Sequence, residues 1–276
     1  MTHGSLFTGI GGFDLGFERA GFKTDWMVEI DPFAQKVLQA HWPSTERHND
    51  VRECGGSNLQ PVDIISGGFP CQDLSTSQNG RKLGLAGKRS GLFFEAARII
   101  GELRPEWFIL ENVRGLLSSH QGKDFDIVIS TMAEFGYCVS WRTLDSRYFG
   151  VPQHRERVYI VGSLGHEGSV HVLFEGLPEA QPSTTKEAPP QAVESVAINP
   201  YQHGSNGVGI SRTVHTLDSR SDRVVLAPFD RGGVGAATGV PARMDLNRTK
   251  AVGNAVTVNV IEWIGKRIMA FNNRKA

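Results

Sequence analysis

The sequence predicts an α/β fold with a mainly parallel sheet and a small irregular region inserted before the C-terminus. Three observations carry that expectation. From the N-terminus to about Gly165, short apolar runs alternate with amphipathic stretches, the pattern of successive βαβ units. Glycine turns directly follow apolar runs in "LFTGIGG" and "VDIISGGFP", as at the carboxyl ends of parallel strands, where ligands gather. Between about Ser163 and Arg248 the periodicity gives way to Gly, Ser, Pro and Thr, and order returns in "AVGNAVTVNVIEWIGKRIMAF".

Taken in order, strands are expected at Ser5 to Phe7, Trp26 to Ile30, Asp63 to Ser66, Trp107 to Leu110, Cys138 to Leu144 and Arg157 to Gly162. Each is a short apolar or β-branched run bounded by turn residues. Helices are expected near Phe13 to Ala20, Pro32 to His41, Leu92 to Leu103 and Phe125 to Phe135. Asp31 stands where it can cap the Pro32 helix. "EGLPEAQPSTTKEAPPQA" reads as a solvated linker. Val258, Ile261, Ile264 and Ile268 recur at helical spacing, so a closing helix should pack on the first domain. The division expected is 1–165, 166–248 and 249–276.

A chain of 276 residues with 39% hydrophobic content can bury a large core. Its 29 basic and 29 acidic residues balance, so any surface for nucleic acid must be local. No basic segment leads into a long apolar run at the N-terminus, and no uninterrupted membrane-length stretch follows, which predicts a cytoplasmic protein without a membrane partner. Cys54, Cys71 and Cys138 have no paired spacing. Neither a disulfide framework nor a metal site is expected.

The chemistry-bearing residues fall at predicted strand ends. Gly9, Gly11 and Gly12 let the first turn approach a ligand, although their spacing is not that of a dinucleotide cradle. Glu29, about twenty residues on, can accept from ribose hydroxyls, or simply be a solvated acid before the next helix. Asp50 can accept from an adenine amino group, or serve its own turn. Cys71 follows Pro70 on a glycine turn, which suits an exposed nucleophile better than a buried packing residue. Glu111 follows four apolar residues, so burial should raise its pKa; the alternative is an acid paired with Arg114 or Arg157. In "QHRER", Gln153, Arg155 and Arg157 alternate and should share one face.

In this order, "LFTGIGGFDLGF", "VEID", "GGFPCQDLSTS", "GLFFEAARII", "FILENV", "QHRERVYIVG" and "AVGNAV" closely resemble the cytosine carbon-5 DNA methyltransferase family, from Gly4 to about Gly162 and from Lys250 to about Ile268. The resemblance implies the Rossmann-like fold of S-adenosylmethionine-dependent methyltransferases and a DNA (cytosine-5-)-methyltransferase. S-adenosylmethionine would be the cofactor, double-stranded DNA the substrate, and the protein a monomer in the bacterial cytoplasm, at the nucleoid when bound to DNA. A restriction-modification setting is implied as well. Cys71 would attack carbon 6 of a flipped cytosine, Glu111 would hold a proton at ring nitrogen 3, Arg157 would meet the base carbonyl, Arg155 would order the cysteine turn, and Asn112 would support the site. Phe7, Gly9, Gly11, Gly12, Glu29, Asp50, Pro70, Leu92 and Asn254 match the cofactor pocket. Ser75, Ser77, Arg89 and Gln153 would face the DNA. Residues 1–165 would then be the catalytic and cofactor-binding domain and 166–248 a reduced target-recognition region.

The family's usual passage closing that region, an arginine, a threonine and "LQGFP", has no counterpart here. "RTVHTLDSRSDRVVLAPFDRGGVGAATGVPARMDLNRT" stands in its place and is short. Its basic residues are all arginines, which can read guanine bidentately or form surface ion pairs. An RNA-directed relative, or a binding protein without turnover, would share many of these motifs.

Overall fold

Strand β1 (Thr2–Leu6) is buried along nearly its whole length, and its two neighbours, β2 (Lys23–Val28) and β4 (Ile64–Gly67), pair with it in parallel. The computed structural model describes residues 1–70, 91–174, 196–198, 210–212 and 254–275. β3 (Glu46–His48) adds to β2, and β5 (Trp107–Val113) adds to β4, all in parallel. β7 (Glu156–Leu164) is antiparallel to both β5 and β6 (Tyr137–Asp145), so β6 runs with the parallel set and β7 is the reversed strand inserted within it. Two short strands, β8 (Val196–Ile198) and β9 (Ile210–Arg212), continue the sheet beyond β6, giving the order β3-β2-β1-β4-β5-β7-β6-β8-β9. The chain winds outward in both directions from β1 and β4, which opens a crevice at their carboxyl ends.

The helices divide between the two faces. α3 (Gly91–Leu103) and α4 (Lys123–Glu134) bury Phe93, Ile99, Ile100, Val128 and Met132 in one core. α1 (Gly12–Arg19), α5 (Gly168–Phe174) and α6 (Val258–Lys275) bury Phe13, Phe17, Val172, Ile261, Ile264 and Ile268 in the other. The closing helix therefore returns to the start of the chain, as its spacing predicts. Gly16 makes the α1–α6 crossing close, because a Cβ there would stand 2.6 Å from Cβ of Ile261. α2 (Pro32–His41) starts where expected, with Asp31 accepting from the backbone of Phe33 and Ala34. Among the described residues no helix is long and apolar enough to cross a membrane.

Several boundaries differ from the sequence expectation. Phe7 is not in β1, since its φ of 53° breaks the strand. β2 begins earlier and ends at Val28, which leaves Glu29 and the exposed Ile30 on the turn beyond it. β3, α5, β8 and β9 were not anticipated: "ERH" and "ISR" have no apolar alternation, and "GSVHVLF" is short and rich in β-branched residues. The linker "EGLPEAQPSTTKEAPPQA" lies outside the described residues.

Between β1, β2, β4 and α1 lies a buried polar cluster. His3 shares hydrogen bonds with Thr24 Oγ1 at 3.1 Å and Ser66 Oγ at 2.8 Å, and Ser5 Oγ donates to Asp14 Oδ2 at 3.3 Å. Asp14 Oδ1 has no hydrogen-bond partner among the described residues and lies 3.8 Å from His3 Nδ1. Burial pushes the Asp14 carboxyl up to about 7 and the His3 imidazole down to about 3. Both groups are thus favoured in their neutral forms.

A carboxyl whose folded pKa exceeds its unfolded one stabilises fully below the unfolded value, and that contribution is lost as pH rises through the folded value. For Asp14 this loss spans the range from 3.8 to about 7. Asp14→Asn removes the titration, so relative to wild type it should gain about 2 kcal/mol between about pH 5 and about pH 8. Urea denaturation of both proteins at the two pH values checks this; a pH-independent difference would contradict it.

Candidate active site

The turn after β1 is shaped by backbone geometry that few residues accept. Phe7, Gly9 and Gly11 have φ of 53°, 59° and 85°, and a bulky residue such as Phe7 in that region marks local strain. Glu29 ties the turn to the start of α2: Gly9 N donates to Oε2 at 2.6 Å and Asp31 N donates to Oε1 at 2.7 Å. Each carboxylate oxygen retains a second lone pair. Among the described residues a Cβ on Gly9 would meet nothing within 4 Å, so they leave the space beside it open. An open backbone face opposite an oriented carboxylate suits a ligand bearing hydroxyl groups. Gly12 begins α1 from the same turn.

Asp50 serves its own turn, one of the two roles open from sequence. It caps a single helical turn, and Arg52 donates to both of its oxygens, through Nη2 at 2.6 Å to Oδ2 and Nε at 2.9 Å to Oδ1. The Arg52 hydrogen bonds hold its carboxyl below the usual range. An adenine amino group would have to share this carboxylate with Arg52. Pro70 is exposed at the end of the described part of its turn, Leu92 is half-buried in the first turn of α3, and Asn254 is exposed just before α6.

On β5, Glu111 is 8% exposed. Burial raises its pKa, against the opposing fields of Arg157 and then Arg155. Arg157 Nε lies 3.1 Å from Glu111 Oε1, an ion pair whose alignment falls short of a hydrogen bond. Its Nη1 donates to the carbonyl of Glu156 at 2.7 Å. Arg114 is the partner of Glu156 instead, at 3.2 Å, so of the two pairings open from sequence the structure makes the one with Arg157. Arg155 Nη2 donates to the carbonyl of Ala255 at 2.8 Å and so joins the site to the segment before α6.

Next to Glu111, Asn112 Nδ2 donates to the carbonyl of Phe69 at 3.0 Å, and its Oδ1 accepts from Val113 N at 2.8 Å. The turn after β4 is thereby pinned two residues before Cys71. A Cβ on Gly68 would stand 3.3 Å from Glu111 Oε2, so the carboxyl lies against the same turn. Cys71, Ser75, Ser77 and Arg89 lie outside the described residues. Cys54 and Cys138 are buried, as expected of packing thiols, and burial pushes Cys54 up to about 11 and Cys138 upward as well.

Gln153 does not share the arginine face in the way its alternate spacing implies. β7 starts at Glu156, and Gln153 is exposed in the preceding turn, where its N–H donates to Val151 O at 2.7 Å. The residue that organises this turn, Asp145, was missed. Its signal is an aspartate two residues before an arginine at a strand end, an Asx-turn pattern. Asp145, His154 and Glu156 also form a group with metal-ligand spacing. Arg147 already donates to Asp145 Oδ2 through Nε and Nη2 at 2.9 and 2.7 Å, and a guanidinium there opposes a cation.

A family model described as C-5 cytosine-specific DNA methylase matches residues 1–219. Type II methyltransferase M2.BsuMI of Bacillus subtilis (strain 168) is 34% identical over 295 residues, covering 96% of this chain and 74% of that protein. Type II methyltransferase M1.ScrFI of Lactococcus lactis subsp. cremoris is 36% identical over 244 residues, covering 83% and 61%. Among solved structures, a protein encoded within an E. coli prophage and described as a DNA modification methyltransferase matches with a TM-score of 0.51 at 26% identity, over 59% of this chain and 47% of that one. The chain thus spans about half to three quarters of the length of these proteins.

Asn112→Ala leaves the Phe69 carbonyl without its partner in a buried place. The expected cost is about 1–3 kcal/mol of folding stability, measured by chemical denaturation; a loss well below that range would show that Asn112 does not hold the turn.

Proposed function

The chain belongs to the C-5 cytosine-specific DNA methylase family, and from that premise we propose that it transfers a methyl group from S-adenosylmethionine to carbon 5 of a cytosine flipped out of a specific duplex DNA sequence, through a covalent adduct with Cys71. The observation that supports this best is the convergence of a buried Glu111, its pKa raised by burial, and the guanidiniums of Arg155 and Arg157 beside the Asn112-pinned turn that leads to Cys71.

S-adenosylmethionine, when bound, supplies an electrophilic methyl group on a sulfonium centre. Glu29 would accept from its hydroxyls, with Asp50 at the adenine and Phe7, Gly9, Gly11, Gly12, Pro70, Leu92 and Asn254 around it. The open space at Gly9 and the spare lone pairs of Glu29 fit such a group. On the base side, carbon 5 of cytosine is a poor nucleophile. Addition of the Cys71 thiolate to carbon 6 forms a carbon–sulfur bond and pushes a π-electron pair toward the ring, where nitrogen 3 takes up the charge. A protonated Glu111 would donate to that nitrogen, and its burial, which raises the pKa, favours the form that carries the proton. Arg157 would hold the carbonyl oxygen of the base. Carbon 5, now enamine-like, takes the methyl group. A base then removes the carbon 5 proton, the electron pair re-forms the double bond, and the thiolate leaves.

Flipping costs a few kcal/mol. Ser75, Ser77, Arg89 and Gln153 would repay part of it by contacting the DNA. Residues 166–248 would read the target sequence and 249–276 would complete the cofactor site, in a monomer acting in the cytoplasm within a restriction-modification setting.

Cys71→Ala should abolish methyl transfer while leaving cofactor binding intact. Bisulfite sequencing of DNA from cells producing the protein should show a single methylated sequence context, and a duplex with 5-fluorocytosine at that position should trap a covalent complex. Labelled methyl groups appearing on transfer RNA and not on duplex DNA, or full activity in Cys71→Ala, would overturn the proposal.

A further inference from the structure

The loop from Ser146 to Arg155 joins β6 to β7 and delivers both arginines to Glu111. Its two ends meet on one carboxylate. Asp145 is 7% exposed, and its Oδ1 accepts from the backbone of Arg147 at 3.1 Å, at the start of the loop, and of Arg155 at 3.3 Å, at its end. Its Oδ2 takes the Arg147 guanidinium and lies 3.0 Å from His154 Nδ1. Ser146 adds a second staple: its N–H donates to the carbonyl of Arg155 at 3.2 Å and its Oγ to the carbonyl of Gln153 at 2.6 Å. From outside, Asn259 Nδ2 donates to the carbonyl of Phe149 at 2.7 Å, and the Phe149 and Trp263 rings meet edge to face at 5.4 Å.

Both arginines depend on how this loop closes. The last described pairs of the hairpin are Leu144 with Arg157 and Asp145 with Glu156, so Arg155 lies one residue past the ladder and its backbone is held by Asp145 and Ser146. Arg157 sits one residue inside the end of the same ladder. A slip there would move each guanidinium relative to Glu111, and displacements of about 1 Å at such a distance are enough to cost a large part of a positioned group's effect.

We propose that Asp145 is a positioning residue for methyl transfer, which clamps both ends of the loop through one carboxylate and thereby aims Arg155 and Arg157 at Glu111. It touches no reacting atom. The role rests on the reading of Glu111 as the acid that holds a proton at the base, and it adds a determinant of how that acid is tuned. The Arg147 guanidinium is part of the clamp: it keeps the Asp145 carboxylate ionised, as the depressed pKa of that group reflects even against its own burial.

The experiment is a titration of Glu111 in the full chain, followed by carboxyl carbon NMR with labelled glutamate, in wild type, Asp145→Asn and Ser146→Ala. Asp145→Asn keeps the shape but loses the charge. Removing an anion from the neighbourhood would by itself lower the Glu111 pKa. Releasing the two arginines raises it, so the expected result is a Glu111 that titrates higher by about half a pH unit or more. Ser146→Ala, which removes the hydroxyl bond of the second staple to Gln153 and leaves its backbone bond to Arg155 and all charges in place, should move Glu111 the same way by less. In methyl-transfer assays Asp145→Asn should lower kcat about tenfold with the KM for DNA within about twofold of wild type. A Glu111 titration that is unchanged or lower in both variants overturns the proposal, and this readout does not require that the wild type be active. If the wild type transfers no methyl group while Glu111 responds as expected, the functional reading fails and the positioning of Glu111 by Asp145 stands.

Discussion

The site depends on one carboxyl group kept out of water between charges that would rather ionise it. Burial favours the protonated form of Glu111, and Arg157 and Arg155 favour the anion. The two influences oppose each other: burial alone would favour the neutral carboxyl more strongly, and a fully aligned pair would favour the anion. The compromise exists because β7 is reversed. In the antiparallel β5–β7 register Glu111 faces Tyr159 and Val113 faces Arg157, so Arg157 reaches Glu111 diagonally, a contact made at 3.1 Å without hydrogen-bond alignment. Closer alignment would strengthen the pair and favour the anion further.

The same reversal connects the acid to the rest of the chain. Arg155, just outside β7, donates to Ala255, and the helix that follows crosses α1 at Gly16. The glycine turn beside Glu29 leads straight into α1. The expected cofactor turn and the expected catalytic acid therefore share supports, although they rise from strands on either side of β4. Asn112 provides the third link, from β5 to the turn after β4.

Much of this was legible in the sequence, for reasons that differ by residue. Asp31 before Pro32 is a local signal, and the helix starts there with both expected cap bonds. Glu111 after four apolar residues announces its own burial. Its partner was not legible: Arg114 is three residues away in sequence and Arg157 forty-six, and only strand pairing decides between them. Alternation predicted a common face for Gln153, Arg155 and Arg157, but alternation holds only inside a ladder, and the ladder ends at Glu156. Asp145 was overlooked because its importance lies in backbone groups eight residues apart, those of Arg147 and Arg155. The buried cluster of His3 and Asp14 was hidden for the opposite reason, since a histidine and an aspartate in a glycine-rich turn region read as surface residues until the fold encloses them.

Where the segment between α5 and α6 leaves and re-enters follows from the same supports. It leaves from the end of α5, where Arg142 donates to the carbonyl of Leu173 at 2.9 Å and Arg267, from α6, donates to the carbonyls of His171 and Val172. It re-enters beside Ala255, held by Arg155. Both anchor points are fixed by contacts within the sheet-and-helix body, and the entropy of closing a chain segment between fixed points grows only logarithmically, by about 0.6 kcal/mol per doubling of length. A long or a short segment between them costs nearly the same. The geometry around Glu111 therefore rests on contacts made by residues before the end of α5 and after Asn254, the ion pair with Arg157, the Arg155 bond to Ala255 and the Asn112 bond to Phe69, and the length of chain between α5 and α6 enters it only through this slowly growing closure term.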